Sequence, residues 1–251
     1  MKRRTRLWIG AVVVAVLSAC PLSIDAAEDP GFAKANQAYT EGRFQEAVDG
    51  YQNLINSGHW SANLFYDLGN GWFRVGDFGR AILNYERALA LDQQHPEAAA
   101  NLRLARDEAR ALELRKDWIE RYLAMGTLAQ YAIAAAVAFW FVLFGAARLV
   151  FSPRRSAGQM ALIAFAAVVC AASVFALYTL ENGTHGRALA IVTGKDIEAR
   201  LATADNASSI LTLPAGSEIK ILSERGDWIY AALPNDQRGW IPAKAVERVR
   251  L

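Results

Sequence analysis

The sequence predicts a multidomain membrane protein: an α-helical repeat segment, a two-helix transmembrane hairpin and a small all-β barrel. Three observations predict it: two long uncharged runs in mid-chain, a 34-residue repeat before them and a series of short β-prone runs after them. The 251 residues are 53% hydrophobic and 21% charged, with mean hydropathy +0.11. That length holds one or two domains with real cores. Soluble domains average about a quarter charged residues, so the positive hydropathy points to apolar residues segregated into spans.

The first element is an export signal. Lys2, Arg3, Arg4 and Arg6 precede an uncharged run from Leu7 to Leu17, followed by small residues. A charged start, a core too short to cross about 30 Å of hydrocarbon and a cleavage zone describe a signal peptide over residues 1–27. Two cleavage sites compete: Leu17-Ser18-Ala19-Cys20 resembles a bacterial lipobox, which implies lipidation at Cys20, and Ile24-Asp25-Ala26 suits ordinary signal peptidase. An uncleaved anchor is the bland alternative.

Residues 28–124 form the second element. Gly42 pairs with Gly76, Phe44 with Phe78, Ala47 with Ala81, Tyr51 with Tyr85 and Ala35 with Gly69, each 34 residues apart. Small residues at these positions allow helices to approach, aromatics fill the space beside them and the glycines permit turns. The period and pattern resemble the tetratricopeptide repeat, whose units are helix-turn-helix pairs, although the first unit has Lys34-Ala35 where the second has Leu68-Gly69. From Pro96, the apolar series Leu102, Ala105, Ala109, Leu112, Ile119 and Leu123 predicts a capping helix that packs on the second repeat and runs into the membrane. The resemblance implies a peptide- or protein-binding concave face, and repeat alignment assigns Asn36, Tyr39, Asn63, Tyr66, Asn70, Phe73 and Arg74 to it. Asn36 and Asn70, also 34 apart, are candidates to hydrogen-bond an extended backbone; the bland reading leaves all seven positions solvated or facing the cap.

The membrane hairpin follows. Between Arg121 and Arg148 lie 26 uncharged residues, and between Arg155 and Glu181 another 25. About 20 residues suffice to cross a bilayer, so helices are predicted over 127–150 and 157–180, joined by a loop over 151–156. Arg148, Arg154 and Arg155 mark that loop as cytoplasmic by the positive-inside rule, and both polar segments then face outward. Trp118, Tyr122, Tyr131 and Tyr178 suit the headgroup layer at the outer ends. Cys170, within the second span, reads as a small packing residue.

The last element spans 186–251. Leu189 to Thr193, Ser209 to Leu213, Glu218 to Leu222 and Trp228 to Leu233 are β-prone runs separated by turn signals such as Pro214-Ala215-Gly216 and Gly226-Asp227. The order Arg200, Leu213-Pro214-Ala215-Gly216, Gly226-Asp227-Trp228, Gly239-Trp240-Ile241-Pro242 resembles the bacterial SH3-like family. Members of that family bind cell-wall peptides or partner proteins, which makes Trp228, Tyr230 and Trp240 a candidate ligand surface; the alternative assigns Trp228 and Trp240 to core and strand pairing.

The net charge of +2 is too small to suggest nucleic-acid binding. Cys20 and Cys170 are too few for a disulfide framework or a cysteine zinc site. His59, His95 and His185 show no ligand spacing, and there is no P-loop, Gly-x-Ser-x-Gly or dinucleotide fingerprint. Asp107 and Glu108 share a helix with Arg103, Arg106 and Arg110 and read as solvated charge pairing. No catalytic, cofactor or metal site is expected. The whole order of elements resembles the BatE-like proteins of bacterial aerotolerance operons. That resemblance implies a non-enzymatic inner-membrane scaffold with two periplasmic modules, partnered by von Willebrand A domain proteins and a cytoplasmic MoxR-type ATPase. A cell-wall sensor that grips peptidoglycan through the barrel is the alternative, and a lipid-tethered assembly factor depends on Cys20.

Overall fold

The computed structural model describes residues 30–151, 156–184, 186–204 and 206–250. The expected signal peptide with Cys20, and Pro153, Arg154 and Arg155 of the expected cytoplasmic loop, lie outside the described residues.

Two helix pairs and a fifth helix come first: α1 (Pro30–Thr40), α2 (Phe44–Asn56), α3 (Ala62–Val75), α4 (Phe78–Leu91) and α5 (Pro96–Ala109). Their ends are specified locally. Ser61 caps α3 by accepting from the Leu64 amide, Asp77 caps α4 through Arg80, and His95 caps α5 through Ala98 with Pro96 in the first turn. Gly42 (φ +80°) and Gly76 (φ +87°) occupy left-handed turns at equivalent points of the two pairs. Ala35, Ala47, Tyr51, Phe65, Leu68 and Ala88 form the core between the pairs. At Gly69 a Cβ would lie 2.7 Å from the Tyr85 ring, so only glycine permits this helix approach.

The fifth helix departs from expectation. Instead of continuing through Ile119 and Leu123, it stops at Ala109, and Arg110 turns left-handed at φ 49°. The chain then leaves helical structure up to a short α6 (Trp118–Leu123). The cause is tertiary. Residues 111–114 lie against the β-sheet, where the Leu112 amide donates to Ser217 Oγ, the Leu112 carbonyl accepts from the Glu218 amide and the Leu114 amide donates to Glu218. Burial of Leu114 and these bonds replace the helical ones.

Helices α7 (Leu128–Phe151) and α8 (Ala157–Asn182) are long and apolar enough to cross a membrane. They pack closely, with Gly145 so near Ile163 that a Cβ would come within 2.7 Å of its Cγ1. Phe141, Phe144, Phe165 and Val168 are exposed on the pair. Cys170 is half-buried, its Sγ 3.6 Å from the Ala135 carbonyl across the helix pair.

The C-terminal segment is a seven-stranded antiparallel sheet of order β3-β2-β6-β5-β4-β1-β7. Its strands are β1 (Leu189–Val192), β2 (Ile197–Arg200), β3 (Ser209–Leu213), β4 (Glu218–Arg225), β5 (Trp228–Ala232), β6 (Arg238–Pro242) and β7 (Val246–Arg248). Val192, Ala199, Leu213, Ile219, Ile229 and Ile241 fill its core. Alternation along β5 and β6 buries Ile229, Ala231 and Ile241 and turns their neighbours outward.

The helical and β segments are not separate beads on a tether. Ala81, Ile82 and Leu83 of α4, Leu102 and Ala105 of α5, and Leu114 share one buried cluster with Leu189, Ile191 and Val249. Gly216 (φ +86°) lets the sheet approach α4, since a Cβ there would fall 2.2 Å from Ile82 Cδ1. The same body is tied to the hairpin: Thr184 donates to Glu120 through its amide and its hydroxyl, Lys220 Nζ donates to the Asn182 carbonyl at 2.5 Å, and Arg187 pairs with Glu181 at 2.8 Å.

Candidate functional site

Three surfaces carry polar chemistry. The first lies on α1, α3 and α5, the leading helices of the successive units. The sheet packs on α4, through Gly79, Ile82 and Arg87, and on the side of α5 that carries Leu102, Ala105 and Arg106, so the opposite face of the leading helices stays uncovered.

Six of the seven residues assigned to this face are held by neighbouring side chains, in contacts that repeat between the two helix pairs. Tyr51 donates its hydroxyl to Asn36 Oδ1 at 2.7 Å, and Tyr85 repeats the bond to Asn70 Oδ1 at 2.8 Å. Asn70 Oδ1 also accepts from Asn101 Nδ2 at 2.9 Å. Both side-chain carbonyls thus hold the following helix of their own pair rather than standing free for a peptide backbone. Tyr39 rests edge-on against Phe44 and Phe73 against Phe78, each with centroids 5.3 Å apart. Arg74 stacks over Phe44 at 4.4 Å, while Asn63 is exposed and without such a contact. Tyr66 stacks near His95 at 4.9 Å.

Three residues of this face were not singled out by sequence: Asp67, His95 and Asn101. Asp67 lies one helical turn from Asn63 and Asn70, a spacing that places it on their face. It is half-buried, and loss of solvation pushes its carboxyl up to about 6, partly opposed by His95. Burial likewise raises the Tyr39, Tyr51 and Tyr85 phenols, of which Tyr51 and Tyr85 donate to Asn36 and Asn70.

The second surface is the buried junction of the helices with the sheet. Arg106 Nη2 donates to Glu86 at 2.5 Å and also to Glu218, and its Nη1 lies 3.4 Å from Glu113. Glu218 is 0% exposed, and burial raises its carboxyl to about 7 against the pull of Arg106. Burial also raises Glu86, with Arg106 again opposing. Arg106 is therefore no solvated partner of Asp107 and Glu108, because the turn at Arg110 folds the sheet over its side of α5. Arg87 adds bonds to the Arg248 carbonyl at 3.0 Å and to Glu247 at 3.3 Å.

The third surface is the outer face of β5 and β6. Tyr230 and Trp240 are direct cross-strand partners with centroids 5.0 Å apart, and Trp228 sits opposite Pro242. All three rings are half-buried on the side away from the sheet core. Arg200 is in register with Trp240, its guanidinium bonded to Glu198 and to the Ala204 carbonyl, each at 3.2 Å.

Among the described residues no three His, Cys, Asp or Glu side chains converge as a metal site. Comparison of the chain with protein-family models and with curated proteins finds no match.

Proposed function

We propose that the chain is a non-enzymatic scaffold of the bacterial inner membrane, holding a tetratricopeptide groove and an SH3-like module in the periplasm within a Bat-type envelope-stress or aerotolerance complex. The observation that carries this reading is the way the modules are joined. The sheet occupies α4 and the Arg106 side of α5 and leaves the opposite face of α1, α3 and α5 open, and the joined body is fastened to the end of α8 by Glu120, Glu181 and Lys220. A rigid body fixed to a hairpin presents its groove at a set height and orientation, which favours assembly with other membrane proteins. Partners with von Willebrand A domains follow from the resemblance in element order. A photo-reactive side chain at exposed Asn63, compared with one at exposed Leu222, tests it in cells. Groove-specific crosslinks to a membrane protein of that class are expected, and equal labelling from both positions overturns the reading.

A second reading has its own observation, the Tyr230–Trp240 pair on the outer sheet face. Aromatic rings beside a guanidinium suit a cell-wall ligand, which makes the protein a cell-wall sensor or targeting factor. Sedimentation of the solubilised full chain with purified peptidoglycan tests it: loss of pelleting on Tyr230→Ala with Trp240→Ala supports the sensor, and no pelleting of the unmodified chain removes it.

A further inference from the structure

We infer that the face of α1, α3 and α5 selects an extended peptide segment carrying a lysine or arginine side chain, and that Asp67 is the residue that reads it. The inference rests on the groove reading above and adds its chemical selectivity.

Asp67 is half-buried, and among the described residues no donor bonds its carboxylate, His95 acting on it through charge alone. A partly desolvated carboxylate is costly to keep without a donor, so such a group calls for a partner outside the chain. The bonds of the other polar groups on this face run elsewhere. Arg74 of α3 is held over the Phe44 ring, and His95 at the start of α5 accepts the Ala98 amide through Nδ1 and lies 3.2 Å from Glu97. The hydroxyls of Tyr51 on α2 and Tyr85 on α4 point to Asn36 and Asn70. Tyr39 of α1 and Tyr66 of α3 contribute aromatic walls, against which the methylenes of a lysine or arginine pack while the head group reaches the carboxylate. The segment as a whole carries the same sign, residues 28–121 holding 11 basic and 15 acidic side chains.

The test uses the full chain in detergent micelles and immobilised twelve-residue peptide pools. Each pool has degenerate flanks and one central residue fixed as Lys, Arg, acetyl-Lys, Ala or Glu. Capture of the Lys and Arg pools about tenfold or more above the others is expected near neutral pH, the scale of one charge-assisted bond. That preference is expected to fade as pH falls below about 6, where Asp67 takes up a proton, and to vanish in Asp67→Asn while Asp67→Glu restores it. Asn63→Lys, exposed and one turn away, imposes a repelling charge without touching the core and gives the same loss should Asp67→Asn fail to fold. Capture without cation preference, or preference retained in folded Asp67→Asn, overturns the inference and leaves the groove reading standing. Failure to capture any pool overturns both.

Discussion

Glu218→Gln isolates what a buried charge does at the junction of helices and sheet. The substitution keeps the shape of the side chain and one acceptor oxygen, for either Arg106 or the Leu114 amide, and removes the titrating proton. In the folded protein burial raises Glu218 from 4.5 to about 7, so its protonated form is the one the fold favours. A folded-state value above the unfolded one contributes stability that is complete below the unfolded value and lost as pH rises through the folded value. For Glu218 the loss falls between about pH 4.5 and pH 8 and amounts to about 3 kcal/mol, from the difference between 4.5 and about 7 at 1.36 kcal/mol per unit. The glutamine variant lacks this loss. Denaturant unfolding followed by tryptophan fluorescence, run on both proteins at about pH 5 and about pH 8, measures it. Between the two conditions the variant is expected to gain about 3 kcal/mol relative to the unmodified protein. A relative gain below about 1 kcal/mol would refute the claim that Glu218 is buried against the ion-pair network.

Other perturbations probe neighbouring parts of the fold. Arg106→Ala strips Glu86 and Glu218 of their shared cation and is expected to cost about 3–5 kcal/mol by the same unfolding measurement, partly recovered by adding Glu218→Gln. Gly216→Ala places a Cβ against Ile82 at a backbone angle of +86°, and a loss of about 2 kcal/mol with a lowered melting temperature is expected. Tyr51→Phe and Tyr85→Phe each remove one repeated bond to an asparagine, for about 1 kcal/mol apiece. The Asn70 carbonyl keeps Asn101 as a donor, so calorimetry should find the Tyr85 variant the milder of the two. Extraction of membranes at high pH should leave the full chain in the pellet, whereas an arginine in place of Ala166 should release it or prevent insertion.

Much of the architecture was legible because its signals are local or periodic. The equivalence of Gly42 with Gly76 and of Tyr51 with Tyr85 is a property of spacing, and the structure places both glycines at positive φ and both tyrosines on asparagines 15 residues earlier. The two apolar runs needed only length and the absence of charge. The sequence left Trp228 and Trp240 open between a ligand surface and core or strand-pairing positions, and the structure sets both half-buried on the face away from the sheet core, with Tyr230 paired to Trp240. Less visible were β2, β6 and β7, which are three to five residues long and gain their definition from partners distant in sequence. Asp67 carried no signal beyond helical spacing, since an acidic residue on a helix is ordinarily solvated and only the packing of three helices removes its water.

Sequence by itself determined the order of elements, the repeat with its glycine turns and the two long apolar runs, because each depends on residues close together or regularly spaced along the chain. Tertiary structure alone decided where α5 stops. By helical period Leu112, Ile119 and Leu123 continue its stripe, yet Arg110 turns the chain aside because Leu114 is buried, and its amide bonded, against a sheet that begins 75 residues further on. It also decided that Arg106 is a junction residue rather than a surface one. The energies of burial and ion pairing arise between α4, α5 and β4, and no local pattern records which distant surface will close over a given side chain.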